Sequence, residues 1–201
     1  MEEKKIEVTI QPIQVADFKL RIEGMSSLLS NKMSEETQKG LLDKQAGKSK
    51  ERKLRSEAII KKEIEGKIHR LPNGKVGFPA SGFKKSMVEA ATGKLLPGVN
   101  GKLAKGSFFI LGNLVPIKYK KQITNEAVTR IGRNIPQVTF RPEFEDWCAE
   151  LHIKYNASQI TPQQIIALAN LGGFHIGVGD WRPQCGGSYG MYRVVGNGGT
   201  A

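Results

Sequence analysis

Cysteine is scarce: Cys148 and Cys185 are the only two in 201 residues. That excludes a disulfide-stapled scaffold and a four-ligand zinc site made of cysteine alone, and a reduced, cytoplasmic setting is expected. Histidine is nearly as rare. His69, His152 and His175 stand far apart, and none sits in HExxH or a comparable metal spacing. No apolar run approaches the roughly 20 residues of a membrane span. The first residues, MEEKKIEVTI, hold no signal-peptide core. A phosphate-binding GxxxxGK(S/T) loop is missing too. Secreted mini-protein, membrane protein, collagen and zinc-finger classes are therefore disfavoured.

What the chain does have is positive charge. Lys and Arg number 31 against 19 Asp and Glu, a net charge of +12, with a pI near 9.7. Such a balance favours a polyanionic partner through phosphate contacts and counterion release. The length fits one domain over 1–201, or a domain carrying a large insertion. Hydrophobic residues at 39% suffice for a core. The charge is uneven: 39–75 holds 12 basic and 5 acidic residues. We read 33–76 as a basic insertion or arm, with Lys48, Lys50, Arg52, Lys53 and Arg55 available to a nucleic-acid backbone, or as a solvated loop.

Strand and helix signals alternate through the rest of the chain. KIEVTIQPI (5–13) and FKLRIEG (18–24) alternate polar and apolar residues, as half-buried strands do. A short helix is expected near 34–38, with Ser34 as its N-cap. The spacing predicts another from Ser81 to Thr92, capped by Ser81 and ended by Gly93, with Phe83, Met87, Ala90 and Ala91 inward and Lys84 and Lys85 projecting. SFFILGN (107–113) and LVPIKYK (114–120) read as a hairpin. QVTFRPEF (137–144) and DWCAELHIKYN (146–156) read as strands, the second with Trp147, Ala149, Leu151, Ile153 and Tyr155 on one face. Thr161 and Pro162 open a helix that Gly172 and Gly173 close. SYGMYRVV (188–195) is the last strand. This order predicts an α+β fold, a ferredoxin-like or RRM-like antiparallel sheet with two helices on one face.

The most distinctive stretch is GGFHIGVGDWRPQCGGSYGMYRVV (172–195). Its glycines would let a ligand approach the backbone closely. Trp181 and Tyr189 offer flat faces for bases, and Arg182 and Arg193 offer phosphate contacts. The alternative is a tight connection with Trp181 tucked beneath it as core. It is no dinucleotide fingerprint, because the glycines follow a helix.

A helix, a glycine-rich loop and a final strand in this order resemble the RAMP superfamily, the RRM-like proteins that form crRNA-binding backbones of CRISPR effector complexes. FKLRIEGMSSLLSNK (18–32) resembles their first strand and following turn, with Ser27 where proline is common. The segment 33–80 sits where such subunits carry thumb-like elaborations. The chain is also similar to a family of uncharacterised bacteriophage proteins through GFPASGFKKSMVEAA (77–91), LAKGSFFILGNLVPI (103–117), VTFRPEFEDWCAELHIKYN (138–156) and GVGDWRPQCGGSYGMYRVV (177–195). That likeness implies a phage or prophage origin, with the cytoplasm of a bacterial host cell as the setting, and supplies no established activity. Cys185 and Met191 depart from the polar residues expected of a RAMP loop and strand. Cleaving RAMP subunits use an acidic residue near the first-strand loop. Here only Glu35 and Glu36 stand there, in an ordinary helix start, so cleavage is not implied.

No constellation points to catalysis. Glu143, Glu145 and Asp146 straddle a turn beside Arg141, as a salt-bridged hairpin or an Mg²⁺ site would. The expectation is a non-enzymatic protein without metal or cofactor. It would bind single-stranded nucleic acid, RNA or DNA, as a homo-oligomer, a filament or a subunit of a nucleoprotein complex, away from membranes. The sheet face, glycine loop and basic arm would form one groove. Its contacts would be Lys84, Lys85, Arg141, Trp181, Arg182, Tyr189 and Arg193, with the arm lysines and arginines. Two rival expectations are a protein-protein interaction module, such as a phage inhibitor of a host defence complex, and a single-strand DNA-binding protein of recombination or replication.

Overall fold

The computed structural model describes residues 13–47, 56–131 and 135–196. The expected strand over 5–13, but for Ile13, lies outside them, as do Lys48, Lys50, Arg52, Lys53 and Arg55 of the arm.

The elements run β1 (Val15–Gly24), β2 (Leu28–Leu29), α1 (Glu35–Gln45), α2 (Glu57–Gly66), β3 (His69–Arg70), β4 (Val76–Pro79), α3 (Ala80–Thr92) and α4 (Gly101–Ser107). They continue with β5 (Phe108–Ile110), β6 (Leu114–Lys118), β7 (Lys121–Ile131), β8 (Ile135–Glu145), β9 (Cys148–Asn156), α5 (Pro162–Leu171) and β10 (Tyr192–Val194). The main sheet is antiparallel, in the order β10-β1-β9-β6-β4-β3, and β5 also pairs with β9. Reduced to β1, α3, β5–β6, β9, α5 and β10, this is the ferredoxin-like plan expected from the element order. A smaller sheet, β2-β8-β7, stands beside it.

Alternation builds the core. Leu20 and Ile22 of β1 and Ala149, Leu151 and Ile153 of β9 turn inward, in register as Leu20 opposite Leu151 and Ile22 opposite Ala149. They meet Phe83 and Met87 of α3 and Ile165 and Leu168 of α5. At the centre, Trp147 and Tyr192 lie 6.3 Å apart, and Phe83 stands 5.9 Å from Tyr192. The indole Nε1 of Trp147 donates to the Ser26 carbonyl at 2.8 Å, so the buried ring keeps its polar atom satisfied.

Several local expectations are corrected. Residues 107–120 form no hairpin. β5 and β6 both pair with β9, at 153–155 and 148–149, as two pieces of one interrupted strand position. Gly112, at φ +87°, and Asn113 make a kink there, not a reversal. Ser81 does not cap α3, whose N-cap is Pro79 with no side-chain hydrogen bond. The Thr161 cap of α5 does form, as a full capping box with Gln164. The end of the basic insertion belongs to the core, since Ile68 and Val76 are buried. Strand β7 lacks a clear apolar alternation, because the middle of the long β7–β8 ribbon stands clear of the core, although Phe144 near the end of β8 is buried in it. Val128 at the middle of β7 is 65% exposed.

Candidate nucleic-acid interface

The glycine-rich segment follows α5. Gly172 and Gly173 do not close that helix but carry it into one π-helical turn, Gly172–Ile176. The reason is space. A Cβ on Gly173 would overlap the Tyr192 carbonyl, and one on Gly172 would press on the Ser86 backbone. Next comes a two-armed lobe over 177–190. Val178 donates to the Gly190 carbonyl at 2.9 Å and Tyr189 to the Trp181 carbonyl at 3.1 Å. The lobe leans on the turn after β1. Gly190 donates to Ser27 at 2.8 Å and Asp180 to Leu29 at 3.0 Å, both through backbone groups.

The glycines therefore serve a different end from the one expected. A Cβ on Gly187 would overlap the Trp181 carbonyl, one on Gly190 the Val178 carbonyl, and one on Gly179 the Leu29 carbonyl. They let the chain pack on itself, not on a ligand. Gly186, at φ +79°, is the one in the lobe with open space around it.

Trp181 stands out of the core at 47% exposure, so the buried alternative is set aside. Its neighbours Asp180 and Arg182 line a cleft of about 290 Å³ together with Asn31, His69, Lys85 and Gln184. The Arg182 guanidinium donates to the Gly179 carbonyl at 3.2 Å and to Gln184 Oε1 at 3.0 Å, which holds it at the rim. Burial, helped by the nearby Lys32 charge, pushes the His69 imidazole below its ordinary value. It is thus neutral at pH 7, and the cleft's charges are Lys85, Arg182 and Asp180.

The two lysines of α3 part company. Lys85 faces this cleft. Lys84 turns the other way, donates to the Lys105 carbonyl at 2.9 Å and lies 3.8 Å from the Phe109 ring centroid. Burial holds its ammonium below the usual lysine range. Tyr189 is half-buried, and its hydroxyl accepts from Asn125 Nδ2 at 3.2 Å. Arg193 is exposed on β10, in register with Glu23 on the outer side of the sheet.

Arg141 is no surface phosphate contact. It is buried at 4% exposure, with Nε 2.9 Å from the Asp180 carboxylate. The acidic turn is salt-bridged but is no hairpin: it joins β8 to β9, which lie in different sheets, and its cations are Lys120, 3.2 Å from Asp146, and Lys121 at the start of β7, 3.8 Å from Glu145. Among the described residues, no group of three His, Cys, Asp or Glu is placed to hold a metal ion. The outer face of β1 and β9 is also unlike the expected binding sheet. Asp17, Lys19, Arg21, Glu23, Glu150, His152 and Lys154 form a charge-balanced surface without Phe, Tyr or Trp, tied by Lys19–Glu150 at 3.3 Å and His152–Asp17 at 2.8 Å. An RRM-type surface stacks bases on aromatics there.

The structure thus brings Lys85 and Arg182 to one cleft, sets the exposed Trp181 between its lining residues Asp180 and Arg182 in the chain, and leaves Lys84, Arg141 and Arg193 outside its lining. Sequence reasoning missed Asn31, Asp180 and Asn125 as parts of this region. Asp180 alone carried a hint, as the one acidic residue inside the glycine-rich stretch.

No protein-family model matches the chain, and no curated protein does either. The likeness to bacteriophage proteins thus finds no support in these comparisons. Solved structures do match. A chain in the cryo-EM structure of the type III-B Cmr-beta complex bound to cognate target RNA superposes with a TM-score of 0.56 at 12% identity. The match covers 90% of this chain and 59% of that one. Cmr6 from Pyrococcus furiosus aligns with a TM-score of 0.42 at 8% identity, over 92% of this chain and 100% of that one. The Cmr-beta likeness is one of fold, a shared α+β architecture, and the chain spans 59% of the length of the Cmr-beta chain it matches. Among the described residues no helix is long and apolar enough to cross a membrane.

Proposed function

We propose that this chain binds single-stranded nucleic acid, RNA in preference to DNA, without cutting it, as a subunit of a nucleoprotein assembly. One observation carries the reading. Lys85 and Arg182 line one cleft, and the exposed Trp181 lies in the chain between two of its lining residues, Asp180 and Arg182. A flat face next to two cations suits an unpaired base and its flanking phosphates. The net charge of +12 supplies long-range attraction. The fold shared with a chain of an RNA-bound Cmr-beta complex favours RNA and a CRISPR-type assembly. The test is a fluorescence-anisotropy titration with labelled single-stranded RNA, single-stranded DNA and duplex RNA of equal length. The reading expects RNA to bind best, with affinity falling steeply as salt rises.

A second reading has one observation behind it. Leu41 and Leu42 of α1 and Ile59 of α2 are exposed, and α2 buries no residue. An apolar surface of this kind suits a protein partner. Co-purification of a host protein that survives nuclease treatment, with no oligonucleotide binding at low salt, would favour it.

A further inference from the structure

Arg141 is the misfit among the basic residues. It lies buried on β8, and neither Nε nor Nη1 has a hydrogen-bond partner among the described residues. Nε is 2.9 Å from Asp180 Oδ2, but its N–H does not aim at that oxygen, so the contact is an ion pair without a hydrogen bond. A guanidinium held this way does little for stability, since an apolar side chain of similar volume avoids its desolvation. What it touches says more. The guanidinium carbon lies 5.9 Å from the Trp181 ring centroid. The Asp180 carboxylate accepts from the Trp181 backbone N–H at 3.2 Å and from Asn31 Nδ2 at 3.0 Å. Trp181 itself sits at φ +50°, a left-handed conformation that a bulky residue keeps only where its surroundings enforce it. Asn125, directly opposite Arg141 in the β7–β8 ladder, reaches the same lobe through Tyr189.

We infer that Arg141 is a positioning residue for Trp181, a role that rests on the nucleic-acid reading above. From β8 it anchors Asp180, and Asp180 anchors the Trp181 backbone. Its charge attracts the ring from the protein side. The indole is thereby presented as a preformed platform for an unpaired base, and binding costs less ordering than it would with a mobile ring.

The test uses the full chain labelled with 5-fluorotryptophan. Fluorine NMR then gives two tryptophan signals, and Trp181→Phe identifies which belongs to Trp181. Trp147, 1% exposed, serves as an internal check on folding. In Arg141→Met the Trp147 signal is expected to stay, while the Trp181 signal moves and sharpens toward free fluorotryptophan. Affinity for a 15-nucleotide oligouridylate is expected to fall about tenfold, the size of one lost base–aromatic stack. Trp181→Ala should cost about the same, and the double variant no more. Arg141→Lys should restore part of both readouts. If Arg141→Met disturbs the Trp147 signal, Arg141→Gln, which removes the charge and keeps a polar side chain, takes its place: an unshifted Trp181 signal with unchanged affinity there overturns the inference. An Arg141→Met protein with both readouts unchanged overturns it equally. If the wild type binds no oligonucleotide while Arg141→Met still frees the Trp181 signal, the positioning role stands and the nucleic-acid reading fails.

Discussion

The Tyr192 hydroxyl donates to Ser86 Oγ at 3.1 Å, in the buried space between β10 and α3. This contact joins the end of the glycine-rich segment to the helix that carries Lys85. Tyr192→Phe keeps the aromatic packing against Phe83 and Trp147 and removes the hydrogen bond. The expected loss is about 1 kcal/mol in urea denaturation.

The same residue sets an alkaline limit. Burial pushes the Tyr192 hydroxyl well above its ordinary value of 10.0. In the unfolded chain it ionises near pH 10, whereas in the native state it stays neutral. Its contribution is therefore complete below about pH 10 and is lost as pH rises beyond it. Denaturation curves collected from pH 8 to 11 should show this fall in wild type and a shallower one in Tyr192→Phe. Equal slopes would contradict the assignment.

Lys84 and Lys85 are adjacent, yet their substitutions should differ in kind. Lys85→Ala removes a free cation from the cleft. It should weaken RNA binding and lower the slope of log affinity against log salt by about 0.7. Lys84→Ala should leave binding unchanged. Its ammonium is occupied by the Lys105 carbonyl and the Phe109 ring, so the cost falls on stability. Titrations at several salt concentrations, paired with thermal melts, separate the two.

The glycines of the lobe allow a comparable contrast. Gly190 is at φ +66°, and a Cβ there would overlap the Val178 carbonyl. Gly190→Ala combines left-handed strain with overpacking and should cost at least about 3 kcal/mol. Gly186→Ala meets open space and should cost only the left-handed penalty, about 1–2 kcal/mol. Chemical denaturation of both variants is the check. A Gly190→Ala protein of nearly wild-type stability would mean that the lobe is not packed on itself.

Much of the architecture was legible because its determinants are local and periodic. The inward row Ala149, Leu151 and Ile153 follows strict alternation, and Thr161-Pro162 announces the start of α5. The parts that were not legible depend on where distant segments meet. Nothing local distinguishes Arg141 from a surface arginine; the packing of β8 against the lobe decides it. Phe108–Lys118 carries a Gly-Asn pair that favours a reversal, but β9 offers a partner to both halves and wins. The glycines were visible, but whether they admit a ligand or the chain's own carbonyls is set by the crossing of the lobe's two arms. Trp181 was balanced between core and surface because one aromatic residue in a loop has no periodicity to place it.

We propose that Trp181 and the cleft lined by Lys85 and Arg182 form the binding surface for single-stranded RNA. The most direct measurement is the affinity of wild type and Trp181→Ala for a 15-nucleotide single-stranded RNA, measured side by side at low salt, with a duplex of the same length as control. Clear binding by wild type, much weaker duplex binding and roughly a tenfold loss in Trp181→Ala are expected. No binding by wild type at low salt, or equal affinity in the two proteins, would contradict the proposal.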